Sequence, residues 1–176
     1  SSPGTKLVTY FVNDTESRSR LMLVEFPVGF TRDQTGHYPA YEELLILNGS
    51  LKISGYEFKK DDYVLFPPNF TRSNTSCPNG CLALVWWSTK PAWSRGRHEQ
   101  FNDEIIFKLN NDIKSANFIE LNKNGEFNSV FINSKDNITS INKSFIGLDL
   151  NSFEFVEGET TETLESSKYF LKFTNF

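Results

Sequence analysis

Gly29-Phe30-Thr31-Arg32-Asp33-Gln34-Thr35-Gly36-His37-Tyr38-Pro39-Ala40-Tyr41-Glu42-Glu43-Leu44-Leu45-Ile46-Leu47-Asn48-Gly49-Ser50-Leu51 is the stretch on which the reading of this chain turns. A short apolar run over residues 44–47 stops at Asn48-Gly49 and resumes at Leu51. Runs this brief, bounded by turn residues, read as strands rather than helices. Asn48-Gly49 is the strongest short hairpin signal in the chain, because both residues tolerate positive φ, so strands over 43–47 and 51–53 are expected to fold back there. The same pattern continues outward in both directions. Candidate strands lie at 7–12, 21–26, 63–66, 82–87, 105–109, 118–121, 129–132, 145–150 and 169–173, with one short helix over 161–167. The pattern predicts an all-β protein. A many-stranded antiparallel sheet must close or stack to remove its edges, so the expected architecture is a jelly-roll β-barrel or sandwich.

Composition narrows the function classes. The chain has 176 residues, 38% hydrophobic, 23% charged and 15% aromatic, which describes a globular domain that buries a core and not a disordered chain. A net charge of -4 argues against nucleic acid as a partner, since counterion release needs clustered Lys and Arg. No apolar run approaches the roughly 20 residues that span a bilayer, so no membrane partner is expected either. Residues 1–5 lack the basic and apolar parts of a signal peptide, so the start reads as a processed terminus. A cytoplasmic location is the expectation. Six N-x-Ser/Thr sequons, at Asn13, Asn48, Asn69, Asn74, Asn137 and Asn142, leave secretion as the alternative. Cys77-Pro78-Asn79-Gly80-Cys81 is a turn whose ends can come within disulfide reach, and two free thiols are the equal alternative.

The character of the sequence changes near residue 100. All 7 Pro, both Cys, both His and all 3 Trp precede it, which concentrates the site-building residues in the first part. Two regions are therefore expected: 1–100 as the barrel core, and 101–176 as further strands that either complete the sandwich or form an eroded second half.

The spacing from Gly29 through Thr35, His37 and Glu42 to Gly49 resembles the first cupin motif, written G-x5-H-x-H-x4-E-x6-G. Asp61-Asp62-Tyr63-Val64-Leu65-Phe66-Pro67-Pro68-Asn69-Phe70-Thr71-Arg72 resembles the second, G-x5-P-x-G-x2-H. Together with Gly80-Cys81-Leu82-Ala83-Leu84 leading to Trp86-Trp87, the wording is most similar to the ChrR-like branch of cupins, over about residues 7 to 90. The resemblance implies a cupin-type jelly roll with added C-terminal strands, and pairing into a homodimer. In cupins these motifs supply three His and one Glu to a divalent metal. Here Thr35 stands where the first His belongs and Arg72 where the last does, leaving only His37 and Glu42. A divalent metal needs at least three N, O or S ligands at about 2.0 to 2.2 Å. A guanidinium in the same space repels a cation. No metal or other cofactor is therefore expected, a site improvised from His37, Glu42 and Asp33 or Tyr38 being the lesser alternative.

Without the metal, Arg72 either pairs with Glu42 as a buried strut or holds the carboxylate or phosphate of a small-molecule ligand. In the second case His37 and Glu42 are the expected proton carriers, and Thr35, Tyr38 and Trp86 are expected to line the substrate cavity with Arg72. Of the adjacent Trp86 and Trp87, one must face inward and one outward. The function expected is small-molecule binding with metal-independent acid-base chemistry of the isomerase, lyase or cyclase type on an anionic substrate. A metal-dependent dioxygenase, or a non-catalytic ligand sensor, is the alternative.

Overall fold

Glu42–Ile53 is the strand around which the first part of the molecule assembles. The computed structural model describes residues 4–110, 118–122, 127–133, 143–161, 164–166 and 168–174. The chain divides into two compact units, Ser1–Asn111 and Asp112–Phe176. In the first unit the strands run β1 (Lys6–Val12), β2 (Arg20–Phe26), β3 (Phe30–Arg32), β4 (Gly36–His37), β5 (Glu42–Ile53), β6 (Tyr56–Lys59), β7 (Tyr63–Phe66), β8 (Thr75–Cys77), β9 (Cys81–Trp87), β10 (Ser94–Arg95) and β11 (Phe107–Leu109). The second holds β12 (Phe118–Asn122), β13 (Phe127–Ile132), β14 (Phe145–Asp149), β15 (Phe155–Gly158) and β16 (Tyr169–Thr174).

In the first unit the main sheet has the order β1-β2-β9-β5-β7-β11, β6 and β8 also pair with β5, β3 pairs with β8, and β4 pairs with β10. These pairings are antiparallel. Alternate residues face one interior: Met22 and Val24 on β2, Leu44 and Ile46 on β5, Val64 and Phe66 on β7, Ala83, Val85 and Trp87 on β9. Each of the Val, Leu, Ile, Phe and Met side chains among them stabilises the fold by about 1.5 to 3 kcal/mol on burial. The opposite face of the same strands is buried as well, with Leu21, Leu45, Leu84 and Trp86 on it. Glu43 and Tyr63 share that face as a hydrogen-bonded pair, and burial followed by the Glu43 charge pushes the Tyr63 hydroxyl well above its ordinary value.

Asn48-Gly49 does not form the expected hairpin. β5 runs straight through it, and the register against β9 shifts between Ile46 and Asn48. The extra residue is a β-bulge, which changes the parity of the strand: Leu44 and Ile46 face the core before it, Leu51 and Ile53 after it. Gly49 adopts φ 74°, and a Cβ there would lie 2.0 Å from the Gly80 carbonyl oxygen. The glycine serves a close strand approach and not a reversal. The reversal comes later, at Ser54-Gly55, whose φ values of 51° and 85° suit the tight turn between β5 and β6.

The second unit is one antiparallel sheet in the order β12-β13-β16-β14-β15. Val130, Ile132, Phe145, Tyr169, Leu171 and Phe173 make its core. Buried Lys172 donates to the Ser129 hydroxyl at 2.5 Å. In the segment expected as a helix, Glu162, Thr163 and Ser167 lie outside the described residues, and Leu164, Glu165 and Ser166 are not helical. A turn bond from Leu164 N–H to the Thr161 carbonyl is made instead. The composition shift near residue 100 precedes the division between units because β11 pairs with β7. Among the described residues no helix is long and apolar enough to cross a membrane.

Candidate functional site

The first unit holds a cavity of about 340 Å³ that opens to solvent. That is within the range of small-molecule sites. Its walls are mostly apolar, from β2, β5 and β9, and its polar groups are Glu42, Arg72, Arg32, Arg20, Tyr38, Thr5 and Thr75.

Glu42 and Arg72 face each other in this cavity as a buried ion pair, Arg72 Nη2 donating to Glu42 Oε2. Only 5% of Glu42 and 4% of Arg72 is exposed. The Glu42 position follows from β5, where it alternates inward with Leu44 and Ile46. Arg72 is held by an isolated bridge to Gly36, with Gly36 N–H donating to the Arg72 carbonyl at 3.0 Å and Arg72 N–H to the Gly36 carbonyl at 2.8 Å. Its guanidinium lies 4.7 Å from the Phe66 ring centroid, 5.3 Å from Tyr38 and 5.8 Å from Trp87, an aromatic surround that favours a cation. Burial pushes the Glu42 carboxyl above its ordinary value, against the opposing pull of Arg72 and then Arg32.

The bridge at Gly36 also decides which neighbours enter the cavity. Side chains alternate along an extended segment, so Gly36 and Tyr38 share the face of Arg72 and His37 is turned from it. His37 accordingly does not line the cavity. Its Nδ1 donates to the Gly96 carbonyl at 3.0 Å, and its ring meets that of His98 edge-on at 5.0 Å. The proton-carrier role expected of His37 has no geometric basis here. Thr35 is exposed and also lies outside the lining, its carbonyl accepting from Gly96 N–H. Trp86 faces the other side of β9 and stacks on Phe11 at 6.2 Å, while Trp87 lines the cavity in its place. Of the expected site residues, Glu42, Arg72 and Tyr38 come together.

Several lining residues had no part in the sequence reading, among them Arg20, Arg32, Thr75 and Trp93. Trp93 covers Gly36 so closely that a Cβ there would lie 2.2 Å from the indole. Arg32 stacks over Trp93 at 4.2 Å and donates from Nη1 to the Tyr38 hydroxyl at 3.3 Å. Thr75 on β8 places a buried hydroxyl beside them with no hydrogen-bond partner among the described residues. The available signal for Arg32 was its position two residues after Phe30, a spacing that puts both on one face of β3. Nothing in the sequence singled out Trp93.

The residues do not fit the divalent metal of the cupin motif. Glu42 is engaged by a guanidinium, His37 points elsewhere, and no cluster of three His, Cys, Asp or Glu occurs among the described residues. Cys77 and Cys81 are buried free thiols. Cys77 Sγ donates to the Ser50 carbonyl at 3.1 Å. Burial, reinforced by Cys77, pushes the Cys81 thiol up to about 12.

No protein-family model matches the sequence, and no curated protein matches it. Solved structures do resemble it. A candidate dioxygenase from Nostoc punctiforme superposes with TM-score 0.61 at 13% identity, over 97% of this chain and 67% of that one. A point mutant of salicylate 1,2-dioxygenase from Pseudoaminobacter salicylatoxidans gives TM-score 0.56 at 7% identity, over 87% of this chain and 64% of that one. An RmlC-like cupin protein from Ralstonia eutropha gives 0.46 at 10%, over 61% and 68%. The architecture is all-β and antiparallel, and what it shares with the first two structures is the fold. At such identities the likeness concerns the fold alone, and the chemistry must be argued from the cavity.

Proposed function

We propose that this chain is a cupin-type protein that binds a small anionic organic molecule in the cavity of its first unit, without a metal. The observation that carries the reading is the charge of the lining: three guanidinium groups, Arg20, Arg32 and Arg72, against the single carboxylate of Glu42, in otherwise apolar walls. A cavity with two surplus positive charges and apolar sides suits an anion with an apolar body. Two of the structural neighbours carry dioxygenase names, but a metal-dependent reading asks for ligands that this cavity does not bring together.

The chemistry that such a cavity supports is proton transfer of the isomerase, lyase or cyclase kind. Glu42 is the one carboxyl in the lining among the described residues, and its raised pKa suits a group that must hold and release a proton. Arg72 pairs with it and Tyr38 lies in the same lining. The test is a thermal-shift panel of small organic acids, amines and neutral analogues, with the hits incubated in D2O. Organic acids are expected to raise Tm, and deuterium wash-in at carbon is expected to vanish in Glu42→Gln. Stabilisation by amines or neutral compounds alone overturns the reading. Binding of acids with no exchange removes the catalytic part and leaves a ligand sensor.

A further inference from the structure

The charge that selects the ligand need not be the one that the motif supplies. Arg72 is already neutralised, since its Nη2 donates to Glu42 in a pair that is almost wholly buried. Arg20, half-buried at the first residue of β2, has its Nε on the Arg18 carbonyl at 3.2 Å. Arg32 differs from Arg72 in having no ion-paired carboxylate among the described residues and from Arg20 in its unbonded Nε, although the Nε of Arg72 is likewise buried without a hydrogen-bond partner. Its protein partners are the Tyr38 hydroxyl and the face of Trp93, and its Nε is buried without a hydrogen-bond partner. A half-buried guanidinium with an unpaired N–H is costly unless something else supplies the acceptor, and a planar carboxylate is the acceptor that its fork geometry fits.

Resting on the proposed anion-binding reading, we infer that Arg32 is the anchor for the ligand and that the ligand is a monocarboxylate with a flat or branched apolar body. The planar Arg32 guanidinium, with one face covered by Trp93, has its N–H edge to offer, and a planar carboxylate matches that edge, whereas a phosphate monoester brings a tetrahedral head. Arg32 and the buried Thr75 hydroxyl offer donors to the carboxylate head. Met22, Val24, Leu44, Val85 and Trp87 provide the apolar wall for the body. Arg72 then acts as a strut, and Trp93 holds the Arg32 fork in orientation by stacking on it.

The test is a titration of benzoate, benzamide and phenyl phosphate, read by quenching of the fluorescence of Trp87 and Trp93, on the wild type, Arg32→Gln and Arg32→Lys. The wild type is expected to bind benzoate at least about tenfold more tightly than either analogue. Arg32→Gln is expected to bind benzoate no better than benzamide at an unchanged Tm, and Arg32→Lys to recover part of the preference. If Arg32→Gln keeps the preference for benzoate, the anchor is elsewhere and this inference falls while the anion-binding reading stands. A wild type that prefers phenyl phosphate, or does not distinguish acid from amide, overturns the monocarboxylate assignment. If no acid binds up to about 10 mM, a range covering even weak affinities, both the inference and the reading beneath it fail.

Discussion

Arg72 and Glu42 are each other's partner in a place with little water, so their value to the fold is asymmetric. Taking two charges out of water is expensive, and their attraction roughly offsets that cost, but removing one partner leaves the other buried and unpaired. Arg72→Met alone is therefore expected to cost about 3 to 5 kcal/mol, a fall in Tm of roughly ten degrees or more. The double variant Arg72→Met with Glu42→Leu should recover most of it, as a double-mutant cycle followed by circular-dichroism melts will read. The pH dependence has a definite sign. Glu42 binds its proton more tightly folded than unfolded, so its contribution is full below the ordinary value of 4.5 and is lost as pH rises through its higher folded-state value. The stability of the wild type relative to Glu42→Gln should shrink as pH is raised through that window. An unchanged melt in Arg72→Met would contradict the strut, while a difference that grows with pH would show that pairing with Arg72 outweighs burial at Glu42.

At the scale of the elements, what the sequence revealed depended on whether alternation carried information. Glu42 was legible because motif spacing places it on β5, whose inward parity is fixed by Leu44 and Ile46, and Arg72 because the spacing of the second motif puts it opposite Glu42. His37 was not, because its orientation is set by the backbone bridge between Gly36 and Arg72, a contact between segments far apart in the chain. Trp86 and Trp87 could not be distinguished because both faces of β9 are buried, so Ala83-Leu84-Val85 is apolar on each side and period two is silent. Asn48-Gly49 was misread for a related reason: a glycine with positive φ serves a bulge as well as a turn. Two glycines of β5 and its turn separate these uses. Gly49→Ala combines strain at φ 74° with a Cβ 2.0 Å from a backbone oxygen, whereas at Gly55, with φ 85°, nothing lies within 4 Å. Gly55→Ala should cost about 1 to 3 kcal/mol from backbone strain alone. Gly49→Ala should cost clearly more, because the bulge cannot be kept without moving β9, and losing it turns Leu51 and Ile53 out of the core. Urea unfolding of the two variants compares them directly, and equal costs would show that the bulge is not under steric control.

For the whole molecule, charge and cavity are distributed differently along the chain. Residues 1–100 carry 11 basic and 10 acidic side chains, while the remainder carries 7 and 12, so the net charge of -4 resides in the later part. That imbalance was legible as a composition shift, but the surplus of positive charge inside the first unit was not, because it depends on which side chains of a nearly neutral segment point inward. The two scales of charge give opposite expectations for an anion: weak repulsion at long range, attraction within the cavity. Salt separates them. Between about 0.01 M and about 0.1 M the Debye length falls from about 30 Å to about 10 Å, which screens the long-range field but hardly touches contacts made inside the protein. The equilibrium affinity for benzoate should therefore change less than about threefold over that range, while the association rate should rise slightly as the repulsion is screened. Stopped-flow quenching of the cavity tryptophans measures both constants. An affinity that drops by about tenfold or more with salt would place the anion on an exposed basic surface and not between the walls lined by Arg32, Arg72 and Trp87.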